Sequence, residues 1–381
     1  MSHPNFSHHL AVRPPLPPGI HFRSNTEWLP FPLNQEGCRI YSLARHAIWN
    51  ACHALGLESN HIILVPAYHH GSEIEALLKA GIKIRYYELN ENLEPDVVML
   101  ESLLGPDVRV LYLIHYLGFP QNAVKWRKWC DENNLLLIED AAQAFLATLD
   151  GQPLGSFGHM GVFCLYKTYG IPDGAAIISL TSIPKPASPA TSGTWRTFKC
   201  HFHWMSERNG TLGFIHLQVE PFVSWLKKQI DSPNVDFELG DPSTPPANMS
   251  NRLLTKILDK QTAQRRRENY RYLLEHLGEM VPPPFATLPD GACPHAFPIE
   301  VEDATLFLKQ LRKYGVVGLL FWLYQHPSLP AHLFPRSMAL RNRLVALPVH
   351  QELTFLELQQ IVEAVKKTCT HKSISFKQNR A

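Results

Sequence analysis

Two hydrophobic periods alternate along the first half of the chain. Apolar residues at three- and four-residue spacing predict helices from Ala44 to Leu55, Gly71 to Ala80 and Val124 to Asn133. Between them, short runs rich in β-branched and aromatic residues predict strands at Ile62 to Val65, Ile82 to Tyr87, Val108 to Ile114 and Leu135 to Ile138. The last run is apolar throughout, as a strand covered on both faces must be. Strand and helix in alternation predict an α/β layer with a mostly parallel sheet.

Past Ile178 the alternation degrades. Ile183-Pro184-Lys185-Pro186-Ala187-Ser188-Pro189 reads as a loop, and Gly240-Asp241-Pro242-Ser243-Thr244-Pro245-Pro246 as a second break that marks a domain boundary. Beyond it Leu254, Ile257, Leu258, Tyr270, Leu273, Leu274 and Leu277 recur at helical spacing and predict one long helix, with Ser250 as its cap and Gly278 as its stop. Thr354-Phe355-Leu356-Glu357 is a capping box with Leu353 and Leu358 at the staple positions, so a docked terminal helix follows through Ile361, Val362 and Val365. At the other end, Arg13-Pro14-Pro15-Leu16-Pro17-Pro18-Gly19 lacks the donors for a regular ladder and predicts an extended arm, with order beginning near residue 36. The expected organisation is an arm over 1–35, a large domain over 36–240, a long helix and smaller α+β domain over 241–368, and a polar tail over 369–381.

A chain of 381 residues, 45% apolar and 18% charged, has enough apolar surface for two domains and excludes disorder throughout. Lys and Arg total 36 against 34 for Asp and Glu, a net charge of +2, so no bulk field favours nucleic acid or an anionic membrane. Small molecules or a second copy of the chain are the expected partners. Seven scattered cysteines and an opening Met1-Ser2-His3-Pro4 without a charged-then-apolar segment fit a reducing cytoplasm. The run Val316 to Tyr324 is too short to span a bilayer. His69-His70 and Cys200-His201-Phe202-His203 lack a second ligand pair at zinc spacing, so no metal is expected. Arg265-Arg266-Arg267 reads as a solvated helix face, because consecutive helical residues point different ways.

The candidate chemistry begins at Ile138-Glu139-Asp140-Ala141-Ala142-Gln143-Ala144, joined by a glycine-broken link to Phe163-Cys164-Leu165-Tyr166-Lys167-Thr168. Asp140 follows an apolar strand and would sit at its carboxyl end, where open α/β sheets bind ligands. A carboxylate there, then an amine among apolar residues, is what pyridoxal phosphate requires: an acid for the ring nitrogen and a Schiff-base lysine. Gln143 shares a face with Asp140 if the chain turns helically, and could reach the ring hydroxyl. Lys167 would hold the cofactor as an internal aldimine and then shuttle the substrate proton, its apolar neighbours favouring the neutral amine. For the phosphate, the turn Tyr41-Ser42-Leu43-Ala44-Arg45-His46 offers free helix-start donors at Ala44 and a guanidinium at Arg45. Among Tyr68, His69 and His70 at a strand exit, His70 is the preferred stacking partner for the ring. Cys164, the one cysteine within these motifs, suits packing or a phosphate-side contact better than covalent chemistry.

At these residues the sequence resembles the DegT/DnrJ/EryC1/StrS family of pyridoxal-phosphate sugar aminotransferases, over about Gly37 to Lys367. The stretches that carry the likeness are Val65-Pro66-Ala67-Tyr68, His115-Tyr116-Leu117-Gly118, Leu137-Ile138-Glu139-Asp140-Ala141-Ala142-Gln143-Ala144 and Gly155-Ser156-Phe157-Gly158 leading to Lys167. Looser matches follow at Asn248-Met249-Ser250, Arg266-Arg267-Glu268-Asn269-Tyr270 and Leu347-Pro348-Val349-His350. The resemblance implies the aspartate-aminotransferase-like fold (fold type I) and a homodimer with active sites at the subunit interface. It also implies glutamate or a similar amino donor and a keto-sugar acceptor, often nucleotide-linked. By position it makes Asp140 the pyridine-nitrogen partner, Gln143 the ring-oxygen contact and Lys167 the Schiff base.

The chain departs from the family pattern in four places. Leu43-Ala44-Arg45 stands where members have Ser-Gly-Thr, Cys164 stands nearest the usual phosphate-binding serine, Gly174-Ala175 replaces Gly-Gly, and Ala247-Asn248-Met249 replaces Asn-x-Arg-Met. Relatives that carry histidine in place of the lysine are dehydratases, and Lys167 argues against that branch. The leading expectation is a cytoplasmic, dimeric aminotransferase. Two alternatives are a non-catalytic regulatory or scaffold protein on the same fold, and a racemisation, elimination or aldol-type reaction on the same cofactor.

Overall fold

The computed structural model of the chain describes residues 10–209, 211–212, 219, 237–322 and 325–370. After a short first strand, β1 (Leu10–Ala11), the chain builds its main layer from β2 (Arg39–Tyr41), α1 (Ala44–Ala54), β3 (Ile62–Pro66), α2 (Ser72–Lys79) and β4 (Lys83–Tyr87). It continues through α3 (Val97–Ser102), β5 (Val108–Ile114), α4 (Ala123–Glu132) and β6 (Leu136–Asp140). A hairpin of β7 (Thr148–Leu149) and β8 (Gln152–Pro153) leads to β9 (Met160–Cys164), α5 (Leu165–Thr168), β10 (Ala175–Ser179) and α6 (Thr194–Arg208). The expected strands and helices are present within a few residues of their ends. α3, which the apolar spacing did not signal, starts where the Asp96 carboxylate accepts from Met99 N at 3.0 Å.

The main sheet has the order β2-β10-β9-β6-β5-β3-β4. The pairs from β4 to β9 are parallel, and β10 runs against both β9 and β2. Strands β3, β5, β6 and β9 therefore end on the same edge, and β2, running with them, delivers the start of α1 there as well. Their side chains are buried on both faces, which is why β3 and β6 read as unbroken apolar runs.

A smaller antiparallel sheet pairs β14 (Leu344–Leu347) with β11 (Phe297–Glu300) on one side and β13 (Leu319–Leu320) on the other. The terminal helix Phe355–Cys369 starts with the anticipated capping box, in which Thr354 and Glu357 bond reciprocally. The expected tail lies outside the described residues from residue 371 on. No helix among the described residues is long and apolar enough to cross a membrane.

Three expectations are corrected. The apolar spacing after Ser250 belongs to two helices, Asn248–Ile257 and Thr262–Leu277. Between them Asp259 forms a turn, accepting from Gln261 N through its side chain and from Thr262 N through its carbonyl. Ser250 lies inside the first helix, where its hydroxyl bonds Asp173 at 2.6 Å, so it is not a cap. Order also begins well before residue 36: β1 pairs in parallel with β12 (Val316–Val317), and Leu10, Leu16 and Ile20 are completely buried. Prolines deprive this segment of a ladder of its own but do not stop its side chains from entering the core.

Candidate active site

A cavity of about 550 Å³ opens at the carboxyl edge of the main sheet. Its walls come from the strand exits (Asp140, Gln143, Cys164, Tyr166, Lys167, His70), the start of α1 (Leu43, Ala44, Arg45), the first segment (Val12, Arg13) and the small sheet with its approach (His295, Leu320). The residues singled out in the sequence, Ala44, Arg45, His70, Asp140, Gln143, Cys164 and Lys167, thus all reach one space, as strand ends of a parallel sheet require.

The adjacent carboxylates Glu139 and Asp140 have opposite assignments because strand neighbours face opposite sides. Glu139 is fully buried away from the cavity and accepts from His115 Nε2 at 3.0 Å and from the backbone of Gly155, Phe157 and Gly158. It fixes the Gly155-Ser156-Phe157-Gly158 loop. His115 Nδ1 in turn accepts from Gln121 N, which sets its tautomer with the proton on Nε2.

Asp140 faces the cavity. Its Oδ2 accepts from the Tyr112 hydroxyl at 2.6 Å and its Oδ1 from Ala142 N at 2.9 Å, so the carboxylate is held in one orientation. Burial, and then the negative charge of Glu73, raise its carboxyl above the ordinary value, against the lowering by Tyr112 and Lys167. Glu73, missed in the sequence, lines the same cavity and accepts from the backbone of His70 and Gly71 ahead of α2. An acid in the first turn of a helix was its only signal.

Gln143 is held by its oxygen, which accepts from Leu117 N at 2.7 Å, leaving its Nε2 without a partner among the described residues. That contact depends on an unusual turn. Leu117 has φ of 53°, and a side chain at Gly118, φ 84°, would meet the Cys293 carbonyl at 2.0 Å. The glycine of His115-Tyr116-Leu117-Gly118 is thereby explained by close approach of backbone.

Lys167 is half-buried in the single turn of α5. Its neighbour Thr168 presents its carbonyl to two side chains from the C-terminal half, Arg266 Nη2 at 2.9 Å and Gln351 Nε2 at 3.1 Å. Arg266 is completely buried and also donates to Gln351 Oε1 and the Pro294 carbonyl. The arginine triplet is therefore not simply a solvated face: its central member is an internal strut that fixes the turn carrying Lys167. His295 lies beside the lysine; burial first, and then the Lys167 and Arg266 charges, hold its imidazole well below the ordinary range, so it is neutral near pH 7. No sequence motif signalled it.

At the opposite end, α1 starts without a side-chain cap at Leu43, and the Ala44 and Arg45 amides have no backbone acceptor among the described residues. Arg45 donates to the Glu238 carbonyl. Cys164 is buried, its thiol raised chiefly by desolvation, and it lines the same cavity. Of the three flat side chains after β3, Tyr68 and His69 are fully buried and His70 lines the cavity, edge-on to Trp322 at 6.2 Å.

These features fit pyridoxal phosphate. A carboxylate raised by burial and by Glu73, an amide nitrogen without an acceptor among the described residues, a lysine and the start of a helix share one cavity of suitable size. They match, in turn, a ring nitrogen, a ring oxygen, an aldehyde and a phosphate.

Residues 41–178 match the model of the DegT/DnrJ/EryC1/StrS aminotransferase family. Over this stretch the chain is similar to that family. GDP-perosamine synthase of Vibrio cholerae is 25% identical over 164 residues, 42% of this chain and 44% of that protein. The chain thus spans less than half the length of that relative. The dTDP-4-dehydro-2,3,6-trideoxy-D-glucose 4-aminotransferase of Saccharopolyspora spinosa is 20% identical over 338 residues, 85% of this chain and 82% of that one. Among solved structures, DesV of S. venezuelae in complex with a ketimine intermediate superposes with a TM-score of 0.62 at 19% identity, over 87% of this chain and 84% of that chain. The α/β fold is therefore that of the sugar aminotransferases, in agreement with the resemblance read from the family's motifs.

Proposed function

We propose that this chain is a pyridoxal-phosphate-dependent aminotransferase that moves an amino group from an amino acid, glutamate being the expected donor, to the carbonyl of a keto-sugar or a similar acceptor. The observation that carries the reading is the Asp140 carboxylate, buried, oriented by Tyr112 and Ala142, and lining one cavity with Lys167. Sugar names among the relatives support the acceptor class. Action as a cytoplasmic homodimer with shared sites belongs to the same proposal.

When bound, pyridoxal phosphate supplies an aldehyde for amine exchange and a cationic ring that withdraws electrons from the substrate's α-carbon. Asp140 would pair with the ring nitrogen and favour its protonated form, and that cation would offset the carboxylate's raised tendency to take up a proton. Gln143 donates through Nε2 to the ring oxygen. Lys167 would hold the cofactor through Nζ, and its free amine would be the base that moves the substrate's α-proton. The neutral His295 beside it adds no competing cation. Ala44, Arg45 and Cys164 lie at the phosphate end, and His70 packs against a ring face.

Glutamate added to the cofactor-loaded protein should yield one equivalent of 2-oxoglutarate per active site, and no product in Lys167→Ala. Loss of the α-proton without keto acid would point to racemisation instead. A second reading, a scaffold on the same fold, draws on the thiol at Cys164 and on Arg45 at the phosphate end. Product that disappears in Lys167→Ala excludes it.

A further inference from the structure

Among the described residues of the first segment, Arg13 is the charged one that lines the cavity, and the segment around it is anchored on both sides. Upstream, Leu10 N donates to the Gly315 carbonyl at 2.8 Å and β1 pairs with β12. Downstream, Leu16 and Ile20 pack in one cluster with Phe163, Leu165 and Tyr169, on the elements that carry Lys167. The chain crosses so close to the loop after Lys167 that a side chain at Gly170 would meet the Pro15 backbone at 2.6 Å.

The guanidinium is fixed as well. It lies 5.6 Å from the centre of the Tyr166 ring, and Nη2 donates to the Ile171 carbonyl at 2.8 Å. Its Nε and Nη1 have no acceptor among the described residues, and neither Arg13 nor Arg45 is paired with a carboxylate there. Arg13, Arg45, Cys164 and Tyr166 all line the same cavity. The other side chains lining this end, Leu43, Ala44 and Ile48, are apolar. Apart from Lys167, the Arg and Lys side chains that line the cavity among the described residues are Arg13 and Arg45, beside the start of an 11-residue helix.

We propose that Arg13 is a binding residue for the cofactor's phosphate monoester, acting with Arg45 so that the anion is held between two guanidinia, one of them delivered by the N-terminal segment. The inference rests on the pyridoxal phosphate reading above. It assigns the segment a role beyond packing: β1 pairing with β12 and the Leu16 anchor determine where Arg13 stands.

The test compares pyridoxal phosphate with pyridoxal, which lacks the phosphate, by titrating each into wild type, Arg13→Met and Arg13→Lys and following the visible band of the bound cofactor. Loss of a charge-assisted phosphate contact should weaken pyridoxal phosphate about 10- to 100-fold in Arg13→Met. Pyridoxal affinity and melting temperature should be unchanged, with Arg13→Lys between the two. An unchanged ratio of the two affinities overturns the proposal. So does an intact ratio with a raised KM for glutamate, which would put Arg13 on the donor's carboxylate. A wild type that gives no band with either compound overturns the cofactor reading itself, which separates that failure from one of Arg13.

Discussion

The two ends of the cavity are built by different means. At the ring end each functional group leaves a strand of the parallel sheet and is oriented by a partner: Asp140 by Tyr112, Gln143 by Leu117 N, and the Lys167 turn by Arg266 and Gln351. At the end proposed for the phosphate, the lining residues include Leu43, Ala44, Cys164 and Tyr166, and the charge arrives on two long arginines from separate segments. Ring chemistry needs a proton and an amine within a few tenths of an ångström, so its donors are directional and local. A phosphate accepts from many directions, so different residues can serve it provided the charge is present.

Substitutions at the two ends should therefore fail differently. The largest effect is expected for Lys167→Ala, which should lower glutamate turnover about 10⁴-fold or more and remove the visible band of the bound cofactor. Asp140→Asn keeps the shape and removes the charge; turnover should drop about 10²- to 10³-fold with the cofactor still bound. If Asp140→Asn instead weakened binding and spared turnover, the division between the ends would break.

Its strand neighbour sharpens the contrast. Glu139→Gln should cost about 2 kcal/mol or more in denaturant unfolding, because a buried carboxylate that accepts from one imidazole and three amides loses acceptor capacity. Asp140→Asn should be close to neutral in the same assay. Arg45→Met, at the phosphate end, should weaken pyridoxal phosphate by about tenfold and leave pyridoxal affinity as it was.

The smallest effect is a pH dependence. Burial and Glu73 raise the Asp140 carboxyl above its ordinary 3.8, so the folded chain holds this proton more tightly than the unfolded chain does. Its contribution to stability is present below 3.8 and is lost as pH rises through the raised value. A bound ring cation offsets that loss, so the cofactor should raise Tm by more at a pH above the raised value than at a pH below it. The extra increment should vanish in Asp140→Asn.

The ring end was legible in the sequence because its signals are local. An apolar strand that stops at Glu139-Asp140, and a lysine after the next strand of the sheet, place their side chains on one edge once the sheet is parallel. Contacts that couple distant segments were not legible. Arg13 sits in a proline-rich stretch whose composition reads as an arm, and only the pairing of Leu10–Ala11 with Val316–Val317 and the burial of Leu16 bring it to the cavity. Arg266 reads as solvated from its arginine neighbours, yet three acceptors from remote segments satisfy it inside the core. The break between the two helices had a local sign, Asp259, which helical apolar spacing on either side concealed.

Reduction of the cofactor-loaded protein with borohydride, followed by peptide mapping, tests the ring end most directly. One pyridoxyl group per chain on Lys167, and none when glutamate is added before the reductant, is the expected result. Modification of another lysine, or none at all in a folded protein saturated with pyridoxal phosphate, would contradict the assignment of Lys167 as the cofactor's anchor.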